Sequence, residues 1–354
     1  MITSAEQITP QWLTRRFQQN GHLSQHTVTD VQIGETFEST AAFFTRLKVA
    51  YSTESEHRPH TDLIFKNYKE GWFGGGVAES VFFSEIVAQM PDPPVFRCYD
   101  FDYDRDARQC YFIFEDASVT HTETPPKVEG RFTVALYKQI IDELLKFHTQ
   151  WWEHPRISQA DFLRGRGGPL RMADAATPEI IRTYCEHWKD ELLPQFADTA
   201  QDELPQEAFD FVHHAVNGWE RLYSERIKDN KALTFLHGDL HHWNLFYPKN
   251  PETDGLYFGD WETYKRGLGP YDLCYLVGGD SSPKRHEIEK DLLRYYHDGL
   301  VNGGVVHYSW EDCVHDYRLS VIATLFPPIG WQSVFRFKLR YVHCQDWNCQ
   351  ELLD

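Results

Sequence analysis

The sequence has no long hydrophobic run, no excess of basic residues and no cysteine pair in a Cys-x-x-Cys spacing. Its apolar runs stay well below the roughly 18 residues that a membrane-spanning helix needs. The polar N-terminus, residues 1–16, lacks the apolar core of a secretory signal peptide. Seven scattered cysteines do not suit a disulfide framework, so we expect reduced thiols that mostly pack in the core. These absences predict a soluble, cytoplasmic protein.

Acidic residues dominate the charge. With 35 Lys and Arg against 53 Asp and Glu, the formal charge is −18. Such a charge repels phosphate backbones and anionic membrane surfaces, and no Lys/Arg cluster offsets it locally. We therefore expect neither a nucleic-acid nor a membrane partner. A negatively charged protein is better suited to bind small neutral or cationic molecules. The sequence carries no signal for the oligomeric state.

The N-terminal third has the pattern of a small sheet with helices. Thr9-Pro10 supplies a cap and a first-turn proline for a short helix that ends at Gly21. Strand patterns fill residues 28–68 and return at 95–115, and a helical period separates them at 78–90. These segments predict five antiparallel strands and one helix, preceded by the N-terminal helix.

Helical periodicity takes over after Asp116. Helices are predicted near 132–151, 177–194, 209–223, 283–301, 309–324 and 334–353. One intervening segment, 233–260, combines strand character with dense polar chemistry. The expected fold class is α+β, with an N-lobe over 1–115, a mainly helical C-lobe over 116–354 and a ligand cleft between them.

The polar segment contains Gly238-Asp-Leu-His-His-Trp-Asn244 and, farther on, Asp260. A hairpin that pairs residue 248 with residue 256 would place Asn244 opposite Asp260, roughly 5 Å apart. Their amide and carboxylate oxygens suit Mg²⁺. Asp239, on the preceding loop, would accept a proton from an attacking hydroxyl while Mg²⁺ holds the phosphate oxygens.

The motif Gly-Asp-x-His-x-x-Asn, followed by Asp260-Trp-Glu262 and Gly269-Pro-Tyr-Asp272, resembles a known family. It is similar to the aminoglycoside phosphotransferase and choline kinase group of the protein-kinase-like superfamily, and more closely to its bacterial branch related to ecdysteroid kinases. The resemblance implies a bilobal protein-kinase-like fold. It also implies transfer of the γ-phosphate of Mg-ATP or Mg-GTP to a hydroxyl of a small metabolite or natural product.

The resemblance further implies roles for individual residues. Lys66 would contact the α/β-phosphates and pair with Glu79, which we favour over Glu85. Residues 114–117, including Glu115 and Ala117, would hold the nucleotide base. The remaining implied roles are Asp239 as base, Asn244 and Asp260 as magnesium ligands, and Asp272 as an anchor of the catalytic loop or a helix cap.

The sequence departs from the family pattern near its glycines. No Gly-x-Gly-x-x-Gly lies between the first two strands, so phosphate contacts there would come from Ser39, Thr40 and backbone N–H groups. The choice between ATP and GTP stays open for that reason. The glycines at 74–76 come after Lys66 and are predicted to form a mobile connection into the next helix.

Three other functions remain as alternatives. A metallohydrolase would use the cluster of His237, Asp239, His241 and His242 to hold zinc, although their spacing does not match a common zinc motif. A pseudokinase-like module would bind nucleotide or a partner without turnover. A third alternative, nucleotidyl transfer to a protein hydroxyl, would use the same nucleotide site.

Overall fold

The computed structural model describes residues 1–52, 58–123, 133–159, 177–279 and 285–354. These residues form two compact units. Residues 1–52, 58–123 and 243–263 belong to the first unit, and the remaining described residues belong to the second. Within the described ranges, no helix is both long and apolar enough to cross a membrane.

The secondary-structure elements are numbered in chain order. The strands are β1 (Val28–Glu38), β2 (Ala42–Tyr51), β3 (Asp62–Tyr68), β4 (Cys98–Asp104), β5 (Gln109–Glu115), β6 (His121–Thr122), β7 (Leu233–Leu236), β8 (Leu245–Pro248), β9 (Tyr257–Phe258) and β10 (Lys265–Leu268). The helices are α1 (Pro10–Gln19), α2 (Phe73–Val81), α3 (Val134–Gln150), α4 (Pro178–His187), α5 (Leu193–Ala200), α6 (Gln206–Ile227), α7 (Pro270–Val277), α8 (Arg285–Asn302), α9 (Trp310–Gly330), α10 (Val334–Asp346) and α11 (Gln350–Leu353).

The N-terminal helix α1 begins and ends as its local sequence predicts. The Thr9 side chain accepts a hydrogen bond from Trp12 N at 3.1 Å, and Pro10 occupies the first turn. Gly21 follows the helix with φ of 78°, a left-handed conformation that glycine adopts without strain. Short-range capping chemistry therefore determines both ends of α1.

Strands β1 to β5 form one antiparallel sheet in the order β1-β2-β3-β5-β4. The face that packs with α1 belongs to a core cluster that includes Leu13, Phe17, Leu47, Val49, Leu63, Phe65, Tyr111 and Ile113. Phe44, Lys66 and Phe112 lie in register on three neighbouring strands, with side chains on the opposite face. The predicted five-stranded antiparallel sheet is confirmed.

Helix α2 begins earlier than the sequence analysis predicts. It starts at Phe73, so Gly74–Gly76 lie inside the helix, and the interpretation of these glycines as a mobile connection is wrong. A Cβ atom on Gly76 would lie 2.8 Å from Cys110 Sγ, and one on Gly75 would lie 2.7 Å from Glu262 Oε2. The glycines therefore allow α2 to pack closely against its neighbours, which outweighs their low helix propensity.

The second unit is mainly helical, as predicted, and holds the short antiparallel pair β7 and β10. The helix predicted at 177–194 is instead α4 and α5, joined by a π-helical turn at Trp188–Leu192. The helix predicted at 334–353 is interrupted near Asn348, whose φ of 50° is left-handed. All seven cysteines are free thiols and six are buried.

A partly buried ion pair links α1 to β4. Arg16 Nη2 donates to Asp100 at 2.7 Å, and Tyr111 donates to the same carboxylate. Asp100 is 2% exposed. We expect Arg16→Met to lower the free energy of unfolding by about 2 kcal/mol, because the carboxylate keeps other hydrogen bonds but loses its cation.

Urea unfolding of the Arg16→Met variant measures this loss. The matched control is Arg15→Met, since Arg15 is exposed on the same helix turn. The control should change the free energy of unfolding by no more than about 0.5 kcal/mol. Equal losses in the two variants would show that the Asp100 pair does not fasten α1.

Candidate active site

Lys66 and Glu79 form a buried ion pair in the first unit. Lys66 Nζ lies 2.8 Å from Glu79 Oε2, and the two residues are 6% and 3% exposed. Tyr68 donates its hydroxyl to the same Glu79 oxygen at 3.0 Å. The structure thus pairs Lys66 with Glu79 and not with Glu85, which comes a turn and a half later.

Three carboxylates act on the Lys66 ammonium. Burial alone would lower the pKa of Lys66, but Glu79, Asp260 and Glu262 together outweigh burial and raise it. Lys66 therefore stays charged in a nearly dry setting. A cation of this kind is suited to hold phosphate oxygens, because it has already lost most of its water.

Glu262 is a site residue to which the sequence analysis assigned no role. Burial, together with the charge of Asp260, raises its pKa to about 7, against the opposing effect of Lys66. Its Oε2 atom is buried without a hydrogen-bond partner among the described residues. The spacing Asp260-Trp-Glu262 was visible in the sequence, but the desolvation that distinguishes Glu262 depends on packing against α2.

The hairpin that carries Asn244 and Asp260 has a different register from the predicted one. Leu245 pairs with Phe258, and Gly259 N donates to Asn244 O at 2.9 Å. Asn244 therefore lies opposite Gly259, and the predicted pairing of Asn244 with Asp260 is wrong by one residue.

Packing around Gly259 explains this register. A Cβ atom at position 259 would lie 2.7 Å from the Phe246 ring and 3.2 Å from the Phe96 ring, so only glycine fits there. Asp260 follows with φ of 63°, which ends the strand alternation at that residue. Asp260 is exposed and Asn244 is buried, and both belong to the first unit.

Ser39 and Thr40, which are predicted to contact the nucleotide phosphates, lie in the turn between β1 and β2. Ser39 Oγ accepts hydrogen bonds from Ala41 N and Ala42 N, both at 3.2 Å, inside the turn between β1 and β2. Thr40 is exposed beside it. A nucleotide contact from Ser39 or Thr40 stays a prediction.

The segment after β5 is tied to neighbouring strands by side chains. Glu115 accepts from Arg97 N at 2.8 Å, and Ala117 is buried at the start of a single helical turn capped by Asp116. Arg46 of β2, which the sequence analysis did not single out, pairs with Asp116. The predicted role of Glu115 and Ala117 in holding a base is compatible with this ordered segment and stays a prediction.

The loop that carries Asp239 is anchored by Asp272. The two oxygens of the Asp272 carboxylate accept from His237 N at 2.7 Å and from Gly238 N at 2.9 Å, and His148 Nε2 lies 3.3 Å away. Asp272 is fully buried. Burial alone would raise its pKa, but the His148 hydrogen bond and the other partners lower it. The predicted anchoring role of Asp272 is confirmed.

Asp239 itself keeps an accessible carboxylate. It is half-buried, and its backbone N–H donates to His237 Nδ1 at 3.3 Å. His241 Nε2 lies 3.8 Å from Asp239 Oδ2. Within the described ranges, no group of three or more His, Cys, Asp or Glu side chains is arranged to hold a metal ion. The zinc alternative therefore has no ligand set in this part of the chain.

The sheet order, the Lys66–Glu79 pair and the anchored Asp239 loop define a protein-kinase-like fold. The family model for ecdysteroid kinase-like proteins matches residues 83–304, more than half of the chain. The chain belongs to the ecdysteroid kinase-like family. It is accordingly a nucleotide-binding phosphotransferase that acts on an alcohol group, and the resemblance inferred from its motifs is confirmed.

The solved structure of one aminoglycoside phosphotransferase shares this fold, and a second is reported as similar. The GDP and kanamycin complex of APH(2″)-IIIa is 11% identical, with a TM-score of 0.50, and the match covers 97% of this chain and 99% of that one. APH(3″)-Id from Streptomyces rimosus is 16% identical, with a TM-score of 0.46, and the match covers 91% of this chain and 97% of that one. Among curated proteins, no significant match is found.

The raised pKa of Glu262 predicts a pH-dependent stability. The folded protein holds a proton at Glu262 up to about pH 7, whereas the unfolded chain releases it near the ordinary glutamate pKa of 4.5. The free energy of unfolding should therefore fall as pH rises through this window. In metal-free buffer, we expect Glu262→Gln to remove about 2 kcal/mol of that fall.

Urea unfolding at several pH values from about 4.5 to about 7, the interval between the unfolded and folded pKa values of Glu262, tests this prediction. The control is Glu252→Gln, on the exposed loop of the hairpin. Its stability should follow the wild-type pH dependence. Parallel curves for Glu262→Gln and the wild type would refute a raised Glu262 pKa.

Proposed function

We propose that this protein transfers the γ-phosphate of a magnesium nucleotide to a hydroxyl group of a small molecule, with Asp239 as the general base. The observation that carries the proposal is the intact Lys66–Glu79 pair, in which a buried ammonium is kept charged by acidic neighbours. A binding module without turnover needs neither this pair nor an anchored, accessible Asp239. ATP and GTP are both candidates for the nucleotide.

Asn244 and Asp260 are the proposed magnesium ligands. Their amide and carboxylate oxygens are donors that Mg²⁺ prefers, and the exposed Asp260 carboxylate is open to a cation. Glu79, Asp260 and Glu262 also supply more negative charge than Lys66 balances. A bound Mg²⁺ would neutralise charge on the transferred phosphate.

The protein's own residues then have separate tasks. Lys66 holds the α/β-phosphate oxygens, and Glu79 fixes the direction of the Lys66 ammonium. Ser39, Thr40 and nearby backbone N–H groups contact the phosphates from the β1–β2 turn, while Glu115 and Ala117 border the base. In this proposal residues 1–115 bind the nucleotide, and the acceptor contacts come from residues 116–354.

Asp239 performs the proton transfer. The acceptor hydroxyl oxygen forms a bond to the γ-phosphorus as the bond from that phosphorus to the β–γ bridging oxygen breaks. The hydroxyl proton passes to Asp239, and the nucleoside diphosphate leaves with the bridging oxygen. The hydrogen bonds from His237 N and Gly238 N to Asp272 hold the loop in place during this step.

The acceptor class is a neutral or cationic hydroxylated molecule. The net charge of −18 favours such a molecule over an anionic one. The APH(2″)-IIIa structure of similar fold was solved with kanamycin and GDP, which supports a small-molecule acceptor and a nucleotide co-substrate.

Removing the base and removing a metal ligand should have different effects. Asp239→Asn should lower kcat by about 100-fold or more, because general base catalysis contributes at least that factor. Magnesium-nucleotide affinity should stay unchanged, since Asp239 does not bind the metal. Asp260→Asn should lower both kcat and magnesium-nucleotide affinity.

Steady-state kinetics and calorimetric titration with Mg-ATP and Mg-GTP measure these effects. Asp254→Asn, in the loop that joins β8 to β9, is the matched control and should behave as the wild type. Wild-type turnover in both Asp239→Asn and Asp260→Asn would overturn the site assignment.

A screen of hydroxylated small molecules for magnesium-dependent nucleotide consumption tests the function itself. Mass spectrometry of the products should show a gain of one phosphate. A gain of a nucleoside monophosphate would indicate nucleotidyl transfer instead. Tight nucleotide binding with no consumption across neutral and cationic acceptors would favour the pseudokinase-like module.

A further inference from the structure

Helix α7 is a short helix whose first turn holds the catalytic loop. All eight of its residues are buried. Asp272, in the first turn, accepts from the backbone N–H groups of His237 and Gly238, which directly precede Asp239. The position of Asp239 therefore depends on where α7 lies.

The other end of α7 is held by an arginine that comes 65 residues after Tyr275 in the chain. Arg340, on α10, donates through Nη1 to Cys274 O at 3.3 Å and through Nη2 to Tyr275 O at 3.1 Å. The guanidinium also lies over the Tyr275 ring, 5.1 Å from its centroid. The carbonyls of a last helical turn have no following turn of the helix to pair with, so hydrogen bonds from outside the helix help to satisfy them. The Arg340 guanidinium supplies two such bonds here, and Cys274 O also accepts from Gly278 N at 2.9 Å.

Gly278, the residue that follows α7, leaves room for the Arg340 guanidinium because it has no side chain. A Cβ atom on Gly278 would lie 2.2 Å from Arg340 Nη1 and 2.5 Å from His343 Nδ1. The φ of Gly278 is −67°, which any residue adopts, so the glycine is required by the close approach of α10 and not by the backbone. The end of α7 and the side chains of α10 thus fit each other directly.

A buried charge cluster holds α10 in place beside α7 and α8. His343 Nε2 and the Tyr317 hydroxyl both hydrogen-bond to Glu289, and Arg285 pairs with Glu289 and with Asp346. Burial alone would raise the pKa of Glu289, but the influence of His343 and Arg285 lowers it to about 2, so the carboxylate stays ionised.

The charges of two guanidinium groups and two carboxylates therefore balance in this cluster. We call it the C-terminal clamp, and its residues are Arg285, Glu289, Tyr317, Arg340, His343 and Asp346. Such a network is rigid because each buried charge is costly unless it keeps its partner. Four of these residues, Tyr317, Arg340, His343 and Asp346, come after residue 304, where the family match ends.

We propose that Arg340 is a positioning residue for catalysis, which fixes the C-terminal end of α7 and thereby the Asp272 anchor of the Asp239 loop. The proposal rests on the proposed role of Asp239. Loss of Arg340 loosens α7, so the loop samples positions in which Asp239 does not reach the acceptor hydroxyl. Nucleotide affinity is unaffected, because Arg340 contacts α7 and not the proposed nucleotide residues.

Kinetics of Arg340→Met should show kcat lowered about 10-fold or more, since misplacement of a reacting group by an ångström costs up to about 100-fold. KM for the nucleotide should stay unchanged. Arg340→Lys should recover part of kcat, because an ammonium can donate to these carbonyls but lacks the two-pronged geometry of the guanidinium.

Hydrogen exchange of the His237 and Gly238 amides provides a readout that does not depend on turnover. In Arg340→Met these two amides should exchange about 10-fold faster or more than in the wild type, under conditions in which both proteins are folded. Gly278→Ala, which displaces the guanidinium without deleting it, should have the same effect and replaces Arg340→Met if that variant does not fold.

Arg318→Met is the matched control. Arg318, on α9, donates to Asn348 O and pairs with Glu351 at 2.9 Å, so its side chain binds α11 and the turn before it. It should lose stability without faster exchange at His237 and Gly238. Unchanged exchange of the two amides in Arg340→Met and in Gly278→Ala would overturn the proposal, as would equal acceleration in Arg318→Met. If the wild type proves inactive, the proposed function fails while the exchange result still decides whether Arg340 positions the loop.

Discussion

The Asp272 carboxylate is the group on which the arrangement of the second unit depends. It is fully buried, and a buried carboxylate is stable only when its oxygens are supplied with donors. Two of these donors are the backbone N–H groups of His237 and Gly238, and His148 supplies a third contact. His148 is itself fixed by Tyr296, 2.7 Å from Nδ1. The cost of burying one charge thus determines where the loop before Asp239 lies and which face of α3 meets α7.

In the first unit, by contrast, the charges around the buried ion pair do not balance. Lys66 is a single ammonium influenced by Glu79, Asp260 and Glu262, so negative charge is in excess. Part of this excess is relieved by the raised pKa of Glu262. An incompletely balanced interior is costly for folding but suits a site that must admit a cation together with a polyanionic nucleotide. Some of the net charge of −18 is therefore concentrated where chemistry is proposed.

Features set by neighbouring residues in the chain were predictable from the sequence. The Thr9 cap, the alternating strands and the Gly238-Asp239 motif all carry local signals. The register at Asn244 was not predictable, because it depends on the Phe96 ring that closes over Gly259. The prediction that the glycines of α2 form a mobile connection was wrong for a similar reason. Cys110, which excludes a side chain at Gly76, is 34 positions away in the sequence. The role of Glu262 was missed because its pKa follows from burial, which spacing alone does not reveal.

Helix α7 shows why residues without a motif matter for this chemistry. A helix of eight residues is about 12 Å long and is not stable by itself in water. Its position must come from contacts at its ends and along its sides. Asp272 lies near the positive N-terminal end and the Arg340 guanidinium meets the negative C-terminal end, so both side chains also favour the helix dipole. The order of the loop that presents Asp239 is therefore set in part by a helix that begins almost 100 residues later, outside the residues that the family model matches.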